Sequence, residues 1–340
     1  MTKIAILGAG SWGTALSVVL SGARTAHDIS LWVNNAELAE TLTRDRQNIT
    51  YLPGVPLPGE IRFSHLLPEA LKGAQIVVGV IPSTYAREVY SQALPNITPE
   101  MVFVSATKGL EPATHLRIST VVAQILARGG DEMQAASQKI AVLSGPSFAA
   151  EAARGQPTAV VLAAENAQLA SRLQEEFSGP SFRLYTNDDV LGVELAGAMK
   201  NVIAIAAGAC QGLGLGSNPL AALITRGLAE MTRLAVALGA RRETLSGLAG
   251  LGDLVLTCTG ALSRNRHVGI ELGKGQGLPE ILAGMRMVAE GVDTAAPLLA
   301  LAREHGIELP ITEQVDAILH RGKAPKEAIR EIMDRPLKRE

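Results

Sequence analysis

Hydrophobic positions in the first half of the chain fall into short runs rich in β-branched residues, each followed by a segment with helical spacing. The runs are Ile4 to Leu7, Ile29 to Val33, Ile76 to Ile81, Met101 to Ser105, Ile140 to Leu143, Thr158 to Leu162, and finally Phe182 to Tyr185. Strands alternating with helices predict βαβ units stacked into a mostly parallel sheet with helices on both faces, an α/β class. After Tyr185 the pattern changes to long stretches of Ala, Gly and Leu with no clear strand, which predicts an all-α remainder. The boundary is expected near Asn187, giving one domain over 1–187 and a helical one over 188–340. Asn187 and Asp188 are suited to cap the next helix. Val190, Leu191, Val193, Leu195, Met199, Val202 and Ile203 make that helix so densely apolar that it must be mostly buried. The charged stretch from Lys323 onward reads as a surface helix that frays.

Several predicted strands end in a turn: Gly8-Ala9-Gly10, Pro82-Ser83 and Ser144-Gly145-Pro146. Those turns mark the carboxyl edge of the sheet, where open α/β folds bind ligands.

At 340 residues, 47% hydrophobic and 19% charged, the chain has enough apolar material for two cores. Its net charge of −2, with both signs interspersed, excludes a basic field for nucleic acid or a membrane surface. Cys210 and Cys258 lie far apart and outside any metal or disulfide spacing, and the six histidines are scattered, so no metal site is expected. A cytoplasmic protein is the reading. The start lacks a signal-peptide pattern, and the apolar stretch Val202 to Cys210 is under half the roughly 20 residues of a membrane span.

Gly8-Ala9-Gly10-Ser11-Trp12-Gly13 follows a strand and opens a helix, the context in which G-x-G-x-x-G binds a dinucleotide. The first glycine permits the tight turn, the second admits a pyrophosphate, and the third lets helix and strand approach; a plain structural turn is the alternative. The end of the second strand, where a carboxylate would select NAD, reads Val33-Asn34-Asn35. Asp28 has the right spacing but precedes the strand and so sits at the wrong edge. NAD and NADP both remain open as cofactor.

Met101 to Ser105 delivers Lys108 to the ligand edge, and the next strand delivers Gly145, Pro146 and Ser147, with Pro146 suited to the first turn of a helix. Lys200 interrupts the apolar helix, above the small residues Gly197 and Ala196. A desolvated lysine has a lowered pKa and can serve as general acid or base. It can equally be a structural lysine that reaches the surface or pairs with Glu194 or Asp253. Spacing does not choose between these readings. Ser263-Arg264-Asn265-Arg266 supplies a compact polar cluster, either an exposed helix start or a grip for phosphate.

Six segments in order resemble the bacterial NAD(P)-dependent glycerol-3-phosphate dehydrogenases: Gly8 to Ala15, Ala106 to Glu111, Leu143 to Ala149, Lys200 to Ala204, Ala249 to Leu254, and Ser263 to Asn265. The resemblance implies a Rossmann-like dinucleotide-binding domain followed by a helical substrate domain, with the active site between them. It also implies reversible hydride transfer between NAD(P)H and dihydroxyacetone phosphate, giving glycerol 3-phosphate for phospholipid synthesis. Lys200 would be the general acid and base. Lys108, Gly145, Ser147, Asp253, Ser263, Arg264 and Asn265 would join it at the substrate. Gly8, Gly10, Ser11, Trp12, Gly13, Asn34, Tyr51, Lys108, Ala149, Arg264, Val288 and Glu290 would meet the cofactor. Many relatives carry a basic residue where Asn34 stands. A β-hydroxy acid reductase on the same architecture and a non-catalytic nucleotide sensor are the rival readings. The Ala- and Gly-rich second half leaves room for a homodimer contact.

Overall fold

The computed structural model describes residues 1–136 and 138–337. It divides into two compact units, Met1–Glu111 with Leu116–Glu194, and Pro112–His115 with Leu195–Glu340.

The first unit is built on an eight-stranded sheet. Its strands are β1 (Thr2–Leu7), β2 (His27–Trp32), β3 (Arg62–Ser64), β4 (Ile76–Gly79), β5 (Val102–Ser105), β6 (Ile140–Ser144), β7 (Thr158–Ala163) and β8 (Phe182–Asn187). The order is β3-β2-β1-β4-β5-β6-β7-β8, and every pair is parallel except β6 with β7. The predicted mostly parallel sheet is therefore present, with β3 added. That strand is three residues long with Phe63 as its one large apolar side chain, too little for a periodicity to register.

Because residues along a strand alternate between faces, each apolar run feeds two cores. Ile4, Ile6, Ile29, Leu31, Ile76, Val78, Val102 and Val104 fill one face. Ala5, Leu7, Val77 and Phe103 fill the other, under Tyr90, Ile118 and Val122. Asp28 lies inside β2 rather than before it, at the amino end of the strand, and is ion-paired with Arg62 on β3. Its edge is still the one away from the Gly8–Gly13 turn.

The second unit is helical among its described residues. Helix Val190–Gly212 carries the chain out of the first unit. Its cap differs from expectation: Asp189, not Asn187 or Asp188, accepts the Gly192 amide at 2.8 Å, while Asn187 accepts the amide of Asp189. By length and composition this helix could cross a membrane, contrary to the expectation of no such stretch, yet 89% of its apolar window is buried.

Four glycines set how this helix meets helix Arg264–Gly273. A Cβ on Gly208 or Gly212 would stand 2.0 or 2.2 Å from the carbonyls of Arg266 or Ile270. One on Gly269 or Gly273 would stand 2.0 or 2.6 Å from those of Ile205 or Ala209. Backbone touches backbone in both directions, which fixes the register of the two helices.

Glu230, on helix Ser217–Ala237 and 4% exposed, holds the start of helix Pro310–Arg321. It accepts the amides of Ile311 and Thr312 at 2.7 and 3.3 Å. Burial raises its pKa from 4.5 to about 7, against the lowering effect of those amides and Arg233. A folded-state pKa above the unfolded one means the folded chain holds the proton more tightly. Glu230's contribution to stability is then full below pH 4.5 and declines by about 3 kcal/mol as pH rises to about 7. Glu230→Gln is expected to flatten that decline, which melting curves between pH 5 and 8 would reveal.

Candidate active site

The turn after β1 shows three glycines with three different constraints. Gly8 has φ +115°, and a Cβ there would lie 2.5 Å from the Val80 carbonyl. A Cβ on Gly13 would fall 1.8 Å from the Gly8 carbonyl. Gly10 has nothing within 4 Å of its Cβ position, so the open side of the turn is the one a pyrophosphate would approach. Helix Ser11–Ser21 begins directly after Gly10 without a side-chain cap, the arrangement in which backbone N–H groups and helix dipole favour an anion.

A loop closes on this turn. Asn48 donates to the Ala9 carbonyl at 2.9 Å and to Thr14 at 2.8 Å, and accepts from the Tyr51 amide at 3.1 Å. Ser11 donates to the Tyr51 carbonyl at 2.6 Å. Trp12 and Ala149 both pack against the cluster of Ala15, Leu52 and Val55, and Trp12 tilts over Phe182. Ser11, Trp12, Tyr51 and Ala149 are thus gathered round the glycine turn. Asn48, which organises them, was not read from the sequence.

Past β2, Asn35 caps the next helix by accepting the Leu38 amide, and Asn34 is exposed. The first charged residue after β2 is Glu37. Residues 33–36, directly after the strand, include no carboxylate or guanidinium to select between a ribose hydroxyl and a 2′-phosphate.

Lys108, Gly145 and Ser147 come together at the ends of β5 and β6. Lys108 Nζ donates to the Gly145 carbonyl at 3.1 Å, and Ser147 Oγ donates to the same oxygen at 2.9 Å. Gly145 has φ +130°, which bars a side chain. Pro146 is not in a helical first turn as expected, because the short helix begins only at Ala149.

In the helical unit, Lys200 is 5% exposed and is paired with the carboxylate of Asp253, also buried, at 3.0 Å. Its Nζ also donates to Thr257 Oγ1 at 2.7 Å, and that hydroxyl donates to the Asp253 carbonyl at 2.6 Å. Asp253 opens helix Asp253–Thr259, so Thr257 lies one turn on and beside it. Of the two carboxylates considered for Lys200, Asp253 is the partner. Glu194 is held by Arg117 and Ser119 instead.

Ser263, Arg264 and Asn265 open helix Arg264–Gly273. Ser263 Oγ caps it by accepting the Arg266 amide. Arg264 is exposed and donates to the Val288 carbonyl at 2.7 Å. Asn265 is buried and used at both ends: Nδ2 donates to Asn201 Oδ1 at 2.9 Å, and Oδ1 accepts the Gly291 amide at 2.9 Å. Glu290 begins the helix that contains Gly291.

The residues therefore form two groups, one in each unit, and comparison with known proteins shows the family of the whole chain. Residues 3–170 match the family model described as NAD-dependent glycerol-3-phosphate dehydrogenase N-terminus, and residues 189–330 match its C-terminus. The chain belongs to the NAD-dependent glycerol-3-phosphate dehydrogenase family. It is 53% identical over 337 residues to a glycerol-3-phosphate dehydrogenase, NAD(P)+, of Koribacter versatilis, covering 99% of this chain and 98% of that one. A counterpart from Acidobacterium capsulatum is 51% identical, with 99% of each chain covered. The crystal structure of glycerol-3-phosphate dehydrogenase from Coxiella burnetii superimposes with TM-score 0.91 at 42% identity, over 98% of this chain and 99% of that one.

Thr257 and Asn201, like Asn48, are contacts the sequence reading missed. Thr257 carried a usable signal, since it follows Asp253 by four residues on one helix face. Asn201 was visible only as the neighbour of Lys200.

The glycine turn gives a clean discrimination. Gly10→Ala is expected to leave the melting temperature within about 2 °C but weaken NAD(P)H binding about tenfold, whereas Gly13→Ala should unfold the turn and lower it markedly. Calorimetry and nicotinamide fluorescence on both variants would check this.

Proposed function

We propose that the chain is an NAD(P)-dependent sn-glycerol-3-phosphate dehydrogenase that interconverts dihydroxyacetone phosphate and glycerol 3-phosphate, with Lys200 as general acid and base. The observation that carries the reading is the buried Lys200–Asp253–Thr257 cluster. An ammonium held by one carboxylate and one hydroxyl is a fixed, charged proton donor of the kind that can act on a substrate oxygen.

The open Cβ position of Gly10 and the uncapped helix after it fit a dinucleotide pyrophosphate. When bound, the nicotinamide supplies or accepts the hydride at C2. Lys200 protonates the alkoxide that develops at the C2 oxygen and removes that proton in the reverse direction. A positive donor also stabilises the negative oxygen before the proton moves, so both contributions act on the same atom. Asp253 offsets the cost of burying the ammonium, and Thr257 fixes its direction.

Arg264, with Ser263 and Asn265 beside it, is assigned the phosphate of the substrate, and Lys108, Gly145 and Ser147 assist in holding it. The cofactor is assigned Gly8, Gly10, Ser11, Trp12, Gly13, Asn34, Tyr51, Ala149, Val288 and Glu290, with Lys108 and Arg264 shared between the two ligands. In this reading residues 1–187 are the dinucleotide-binding domain and 188–340 the substrate domain. The product serves phospholipid synthesis, the location is the cytoplasm, and the assembly is a homodimer through the Ala- and Gly-rich helices.

Nicotinamide absorbance followed with dihydroxyacetone phosphate and either NADH or NADPH tests activity and cofactor choice together; inactivity with both would overturn the reading. Lys200→Ala is expected to retain NAD(P)H binding while kcat falls about 10³-fold. Arg264→Ala should act mainly on KM for dihydroxyacetone phosphate, raising it about 10- to 100-fold, and an unchanged KM would remove the phosphate from this residue.

A further inference from the structure

The chain passes between its two units at three points: Glu111 to Pro112, His115 to Leu116, and Glu194 to Leu195. On the side of the first unit, the residues flanking all three points are bonded to one another. Leu110 pairs with Arg117 across an antiparallel bridge, and the Glu111 amide donates to the Leu116 carbonyl at 2.9 Å, which closes the base of the 112–115 excursion. Arg87 grips the Glu111 carboxylate with two bonds of 2.6 and 2.7 Å. Arg117 donates to Glu194 at 2.8 Å, joining the first two passages to the third.

Glu194 is 6% exposed and its two oxygens are fully engaged. Besides Arg117, the Ser119 amide reaches one oxygen at 2.9 Å and the Ser119 hydroxyl the other at 2.5 Å. Helix Ile118–Ala127 has no side-chain cap of its own, so the Ser119 amide is a first-turn donor that Glu194 satisfies from another helix. A carboxylate at that end is also favoured by the helix dipole.

Glu194 belongs to the same unbroken helix as Lys200, six residues before it and about 9 Å along the axis. A change in how Glu194 is held can therefore pass along this one helix to Lys200. The cluster that holds Glu194 also includes Arg117, which pairs with Leu110 two residues after Lys108.

We infer that Glu194 is a positioning residue for the reaction: held by Arg117 and Ser119, its carboxylate fixes the start of the helix that carries Lys200. The inference rests on the assignment of Lys200 as proton donor. An error of about 1 Å in a reacting group can cost about 10²-fold in rate without changing what binds.

The test compares Glu194→Gln, Ser119→Ala and Lys200→Ala with the parent, measuring kcat, KM for dihydroxyacetone phosphate, NAD(P)H affinity and melting temperature. Glu194→Gln should lower kcat about 10- to 100-fold with KM and nucleotide affinity within about threefold, at temperatures well below melting. Ser119→Ala removes one bond without stranding a charge and should lower kcat by a smaller factor, about threefold, so it decides the matter if Glu194→Gln does not fold. Normal kcat in the folded variants, with only a reduced melting temperature, would overturn the positioning role. If that result came with an inactive Lys200→Ala, the assignment of Lys200 would stand; an active Lys200→Ala would instead remove the assignment itself.

Discussion

Burying an ammonium group inside an apolar helix is costly unless a counter-charge and further hydrogen bonds come with it. Lys200 meets that demand through Asp253 and Thr257, both delivered by a single helix turn. Once the pair is required, much else follows. Helix Asp253–Thr259 must lie against Val190–Gly212, and the one-turn spacing of Asp253 and Thr257 must face it. A buried pair of this kind is often no more stabilising than an apolar contact of the same shape.

The same helix is constrained along its length by contacts of different kinds. At its start, Glu194 is fixed by charge and by the amide of a neighbouring helix. In the middle, Asn201 reaches Asn265, whose other end holds the Gly291 amide, so three helices share one polar link. Toward its end, Gly208 and Gly212 admit the backbone of helix Arg264–Gly273. Polar bonds give direction and glycine contacts give distance; together they leave little freedom in the placement of Lys200, Arg264 and Asn265 within their unit. In the first unit the division is similar. Gly8 and Gly13 fix the turn by close approach, and Asn48 ties the covering loop to it by hydrogen bonds.

Much of this was legible in advance. The apolar runs located seven of the eight strands. Six are buried on both faces and so apolar over most of their length, while edge strand β8 alternates buried Phe182 and Leu184 with exposed Arg183 and Tyr185. β3 escaped because three residues at a sheet edge need only backbone pairing. The start of β2 was missed for the same reason: His27 and Asp28 are polar, yet their backbone pairs with Thr2 and Lys3. Helix starts were less legible. Asn187, Asp188 and Asp189 are all capable of capping, and only the path of the backbone selects Asp189. Pro146 is compatible with a first helical turn but equally with the extended approach to one.

The sequence by itself determined the fold class, the family and the glycine turn, since periodicity and motif order are local properties written along the chain. It could not decide which buried carboxylate met Lys200, what held Glu194, or that Asn265 spends both ends of its amide on other helices. Those are choices among partners far apart in sequence, from 26 residues for Asn265 and Gly291 to 77 for Arg117 and Glu194. Tertiary packing makes them, because a buried polar group takes whichever partner the fold brings within hydrogen-bond reach.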